Sequence, residues 1–186
     1  MLKRLFAVLL LASGLSLAKE GYRSSFLMQA NLGLNYMSVS GEHETRDIFG
    51  QTLNVKMGFL AKGLWAIHGN VEYGIFESSP LVHRIGGALG ASVFPFRDPR
   101  SALHDFYAGA NFGFVDNFSF DEISGAIGEA SGIYLKVEAG KLWPVSERWN
   151  IGVNVSAGID GYFTLGESGD GSSGVVIGLG VSLARK

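Results

Sequence analysis

Four histidines, His43, His68, His83 and His104, are the residues best suited to acid–base or metal chemistry in this chain of 186 residues without cysteine. No His, Asp and Glu spacing around them matches a zinc site. The run from Gly166 to Gly171, with Glu167 and Asp170, lacks the ligand order of a calcium hand. Gly86 to Gly90 sits inside an alternating strand-like segment, where glycine eases packing and curvature and does not cradle phosphate. His43 and the Glu77-Ser78 pair stand in polar segments that read as solvated loops. The remaining chemistry-bearing set is Lys56, Arg84, Lys136, Glu72, Glu138 and Asp160, with His68 beside Asn70 and Glu72. Three cations against three anions are what a self-neutralising buried network requires. Neither a catalytic residue, a metal site nor a cofactor is expected from these positions.

The elements that carry those seven residues are read from a period of two. Phe26, Met28, Ala30, Leu32, Leu34 and Tyr36 alternate with Leu27, Gln29, Asn31, Gly33 and Asn35. Leu53 to Ala61 repeats the pattern with Asn54 and Lys56 on the polar parity, and Trp65 to Ile75 with His68, Asn70 and Glu72. Further strands follow around residues 84–93, 106–114, 133–140, 149–160 and 175–183, giving eight in all. Their polar parity carries Arg84, Tyr107, Asn111, Tyr134, Lys136, Glu138, Asn154 and Asp160, among many glycines.

A soluble barrel would turn a Lys-, Glu- and Thr-rich parity to water. Here one parity is small or uncharged-polar and the other is uniformly large and apolar. That division suits a crowded lumen facing inward and a wall facing lipid, so the fold expected is an all-β, eight-stranded antiparallel up-and-down transmembrane β-barrel. Aromatic residues support it. Trp65, Trp143, Trp149, Phe26, Phe59 and Phe106 fall at one rim, and Tyr36, Tyr73, Phe112, Phe114 and Phe163 at the other, as two membrane-interface girdles would.

Short turns are expected after strands two, four and six, and longer polar loops at 39–50, 77–82, 116–131 and 164–174. The longer loops carry ten acids (Glu42, Glu44, Asp47, Glu77, Asp116, Asp121, Glu122, Glu129, Glu167 and Asp170) against Arg46. Divalent cations are therefore possible partners there, bridging loop carboxylates to anionic lipid.

Composition agrees with export to a membrane. Residues 1–18 read as a cleaved signal peptide, with Lys3 and Arg4, an apolar run from Leu5 to Ala12, and Ser16-Leu17-Ala18 as the cleavage site. Residues 19–186 then form a single barrel domain. The full chain has a net charge of −2, and no Lys/Arg block that could follow a phosphate backbone, so nucleic acid is excluded as a partner.

In this architecture residues 24–183 resemble the small eight-stranded bacterial outer-membrane barrels, the group of outer-membrane protein X and the barrel of outer-membrane protein A. The resemblance implies an outer-membrane location, both termini in the periplasm, assembly by the barrel insertion machinery, a monomeric barrel, and lipopolysaccharide and outer-membrane lipid as surroundings. Family members are either non-enzymatic or lipid A modifying enzymes. The deacylase-like His-x-Ser is absent, since Thr45, Asn70, Ile85 and Phe106 stand two places after the histidines. The palmitoyltransferase-like pattern is met only loosely by His43 and Glu77-Ser78, without the helix that precedes such barrels. A non-enzymatic structural or surface-interaction barrel with a closed polar lumen is the function expected. A lipid A modifying enzyme and a narrow pore are the alternatives. The chain departs from the family in ending Leu183-Ala184-Arg185-Lys186 where an aromatic residue is usual.

Overall fold

Alternating side chains make each strand two-faced, and eight such strands close on themselves. The computed structural model describes residues 24–40, 45–61, 64–79, 81–96, 98–120, 127–163 and 172–185. The strands are β1 (Ser24–Ser40), β2 (Thr45–Ala61), β3 (Trp65–Glu77), β4 (Val82–Val93), β5 (Phe106–Phe120), β6 (Ile127–Pro144), β7 (Trp149–Phe163) and β8 (Ser172–Arg185). Each pairs antiparallel with its sequence neighbours, and β1 pairs with β8, so the barrel is closed and has no free edge. The expected signal peptide lies outside the described residues.

The register fixes the barrel's dimensions. Following cross-strand partners from Phe26 leads through Phe59, Ile67, Ala91, Ala110, Val137, Ala157 and Ile177, and back to β1 at Tyr36. The walk returns ten residues further along (36 − 26), which is the stagger of the closure. With ~3.3 Å rise and ~4.8 Å between strands, that stagger tilts the strands by about 40° and sets a radius of about 8 Å. An interior of this width is filled by side chains. All the residues on the walk lie on the outward parity, so the even stagger keeps one face apolar around the whole circumference.

Two expectations about connections are corrected. The segments 39–50 and 116–131 were expected to be long loops, yet the β1–β2 ladder continues to Ser40↔Thr45 and the β5–β6 ladder to Phe120↔Ile127. Alternation persists there. Inward-facing Val39 and Ile48 pack on Met37, Phe76 and Val176, which supports the strands at the level of the outer girdle. Where the four long loops were expected, the gaps between strands are 41–44, 78–81, 121–126 and 164–171. Conversely, the connection after β4 was expected to be short, and at residues 94–105 it is the longest gap between strands in the chain. Pro95 and Pro99 cannot donate to a ladder, and successive turns follow, with Ser101 N bonded to Asp98 O at 2.9 Å, His104 N to Ser101 O at 3.0 Å and Phe106 N to Leu103 O at 2.9 Å. Asp105 ends the segment at φ 60°, a left-handed conformation that an Asp tolerates.

Candidate functional site

The lumen is built from the odd-numbered positions of β1 and β5 and the even-numbered positions of the other six strands. Near the outer end of β4 sits Arg84, 2% exposed. Its Nε donates to Glu72 Oε1 of β3 at 3.1 Å, and Nη1 and Nη2 donate to the two oxygens of Asp160 on β7 at 2.6 and 3.2 Å. Lys136 of β6 pairs with the other oxygen of Glu72. Lys56 of β2 pairs with Glu138 of β6. The six charges therefore form two groups across the barrel, Lys136–Glu72–Arg84–Asp160 and Lys56–Glu138, and every one has an opposite charge in contact. In a medium this dry an unpaired ion would cost several kcal/mol, whereas the pairs also lock five strands together.

Neutral groups complete the layer. Asn70 Nδ2 donates to Asn111 Oδ1 at 2.7 Å, and the Tyr134 hydroxyl donates to Asn70 Oδ1 at 3.1 Å. Below them Gln29 Nε2 donates to the Tyr107 hydroxyl at 2.8 Å, while Ser182 and Asn154 meet Asn31 Oδ1 at 2.7 and 3.1 Å. The space left among Asn31, Asn54, Lys136, Glu138 and Asn154 is about 20 Å³, room for about one water molecule.

His68 is the lumen residue closest to a catalytic arrangement, with Nε2 2.9 Å from Ser92 Oγ. A nucleophile and base need a third group to orient the base. Nδ1 of His68 has no partner, and the pair lies beside the apolar floor, so no acid orients the ring. The other candidates do not converge on it. His43 lies outside the described residues, Glu77 is exposed at the end of β3, His83 Nδ1 is 3.0 Å from the Tyr73 hydroxyl on the outer wall, and His104 is 3.6 Å from Asp105 in the β4–β5 connection. Among the described residues no three His, Asp or Glu side chains are grouped to hold a metal ion.

Both ends of the lumen are apolar, which the charge count did not reveal. Leu27, Leu60, Ala66, Phe94, Tyr107, Leu142 and Ala184 close one end. At the other, Met37, Phe76 and Val176 form a lid, and Tyr162 stands beneath it with its hydroxyl donating to Asp160 Oδ2 at 2.7 Å. The signal was present in sequence: on the inward parity polar residues give way to Leu27, Leu60 and Leu142 at one rim and to Met37, Phe76 and Val176 at the other.

Outside, the wall is exposed and apolar along its whole height, with Leu34, Val71, Leu135, Val155, Ile159 and Leu179 among the bare side chains. Trp65, Trp143, Trp149 and Phe26 are exposed at the rim nearest the termini, and Phe59 and Phe106 are half-buried there. Phe26 and Phe59 meet edge to face with centroids 6.2 Å apart. At the opposite rim Tyr73 and Phe163 are exposed, and Tyr36 lies 5.2 Å from Phe49. Phe49 and Phe118 extend this upper girdle, and Phe118 stacks on His83 at 5.3 Å.

No family model matches the sequence, and no curated protein matches it. Solved structures do. Neisserial surface protein A superposes with a TM-score of 0.54 at 16% identity, covering 86% of this chain and 97% of that one. Ail, the attachment invasion locus protein of Yersinia pestis, solved with the heparin analogue sucrose octasulfate, gives 0.52 at 12% identity, covering 86% of this chain and 99% of that one. At such identities the likeness is one of fold: the chain has the closed eight-stranded architecture of the small outer-membrane barrels.

Proposed function

We propose that this protein is a non-enzymatic integral barrel of the bacterial outer membrane, sealed through its lumen and presenting an acidic outer end to the surroundings. The observation that carries the reading is the pairing of an apolar exposed wall with a lumen whose charges are mutually neutralised and whose two ends are plugged. Signal-peptide cleavage after Ala18, periplasmic termini and assembly by the insertion machinery belong to the same reading. With the termini in the periplasm, the acid-rich connections face outward.

The outer acids also bear on what the surface can bind. A polyanion such as the sulfated sugar bound by the Yersinia barrel would be repelled by ten acids against one Arg. Divalent cations reverse the sign, since Ca²⁺ or Mg²⁺ can bridge a loop carboxylate and a lipopolysaccharide phosphate. Two experiments test the proposal. Planar-bilayer recordings should show little or no conductance, and lipid A acylation should be the same in cells with and without the gene. A stable large open state would contradict the sealed lumen, and an altered acyl pattern on deletion would replace the non-enzymatic reading with the enzymatic one.

A further inference from the structure

Glycines on the two faces of this barrel have different reasons to be there. Most inward glycines are sterically required: a Cβ on Gly58 would come within 2.1 Å of Ile67 O, one on Gly113 within 2.1 Å of Gly87 O, and one on Gly90 within 2.2 Å of Asn111 Oδ1. Outward-facing Gly69 and Gly87 have no such reason. A Cβ on Gly87 would meet nothing within 4 Å, and one on Gly69 only Ala88 O at 3.9 Å. Neither has a left-handed backbone, and the ladders through both are unbroken, so neither a turn nor a bulge calls for glycine. Glycine inside a strand forfeits stability, and where no backbone demand exists it marks a place where something else approaches closely.

The two glycines lie on neighbouring strands, and together they floor a groove of about 990 Å³ in the outer wall. Met57, Val71, Ile85, Leu89, Phe112 and Phe114 form its sides. It runs from Phe26 in the lower girdle to Asp116. Asp116 is exposed on the outward parity of β5, two residues beyond Phe114 of the upper girdle. Among the described residues no base is paired with it. The groove is therefore apolar through the membrane band and ends in a bare carboxylate at headgroup height.

We propose that this groove is a binding site for lipopolysaccharide, an acyl chain lying over Gly69 and Gly87 and a lipid phosphate held to Asp116 through a divalent cation. The inference rests on the outer-membrane reading above and adds a specific lipid site to it. Position selects the occupant. Between the girdles the surroundings are hydrocarbon, and the sides of the groove are apolar side chains that suit an acyl chain. At the outer end charge selects: the carboxylate repels a bare phosphate and attracts a cation-bridged one.

The test uses the full chain folded in vesicles of phosphatidylethanolamine and lipopolysaccharide with Ca²⁺, then extracted into mild detergent, with co-purifying lipid counted by native mass spectrometry. Wild-type protein should retain lipopolysaccharide, and chelator should release it. Gly87→Leu, which fills free space, should lower retention about tenfold or more. Asp116→Asn should abolish the calcium dependence. Gly161→Leu is the control, because a Cβ on this outward glycine also meets nothing within 4 Å but Gly161 does not line the groove. Unchanged retention in Gly87→Leu, an equal loss in Gly161→Leu, a calcium response that survives Asp116→Asn, or equal retention of phosphatidylethanolamine would each overturn the proposal. Wild-type protein that fails to enter the vesicles would remove the outer-membrane reading and this inference with it.

Discussion

Leu135 and Lys136 are consecutive residues of β6, and they live in opposite solvents. Leu135 stands 45% exposed on the outer wall, while Lys136 turns inward onto Glu72. The same contrast holds between Val153 and Asn154 on β7, and between Ile85 and Arg84 on β4. In a soluble barrel the oily side chain would be the buried one. Here burial belongs to the ions, and what makes them tolerable is mutual pairing with no dependence on water. The two faces should therefore respond to mutation by different rules: the lumen is sensitive to loss of a partner, the wall to gain of a charge.

Arg84→Met should have the largest effect. It leaves Glu72 with Lys136 alone and Asp160 with only the Tyr162 hydroxyl, and stranding a carboxylate in this interior costs about 3–5 kcal/mol, read as a lowered urea midpoint in vesicles. The double change Arg84→Met with Asp160→Leu should recover part of that loss, which a purely steric role for Arg84 would not allow. On the wall, Leu135→Arg or Val153→Arg should cost about 2–4 kcal/mol by placing a cation in hydrocarbon. Equilibrium folding that tolerated both would reverse the assigned faces. A smaller effect is expected from Asn154→Ser, which loses the amide bonds to Asn31 and Ser182 near the water-sized space, at about 0.5–1.5 kcal/mol. Neutralising Asp121, Glu122 and Glu129 should leave stability unchanged in chelator but reduce the rise in thermal stability that Ca²⁺ produces in lipopolysaccharide membranes, the remainder being carried by Asp116.

Strand number, closure and the choice of faces were legible in the sequence because a period of two survives every tertiary influence in a barrel: each side chain can point only in or out. Partner identity inside the lumen was less legible. That Lys56, Arg84 and Lys136 share a parity with Glu72, Glu138 and Asp160 follows from counting, but which cation meets which anion depends on stagger, and the ten-residue stagger appears only when the ladders close. Gly58 and Gly113 are intelligible for the same reason, each facing a carbonyl contributed by the neighbouring strand. Strand ends were least legible. Charged residues at Arg46, Asp47 and Asp116 masked ladders that continue through them, whereas Pro95 and Pro99 announced a break whose length nothing local set.

The absence of cysteine from the whole sequence makes one measurement unusually direct. Single-cysteine variants at each position from Asn150 to Asp160 of β7, spin-labelled in phosphatidylcholine vesicles, would report collisions with oxygen in lipid and with a polar nickel chelate in water. Labels at 151, 153, 155, 157 and 159 should be oxygen-accessible and shielded from nickel, while labels at the even positions between them should be shielded from both, as a plugged lumen requires. Oxygen accessibility at the even positions, or free nickel access to them, would contradict an apolar wall around a sealed polar core.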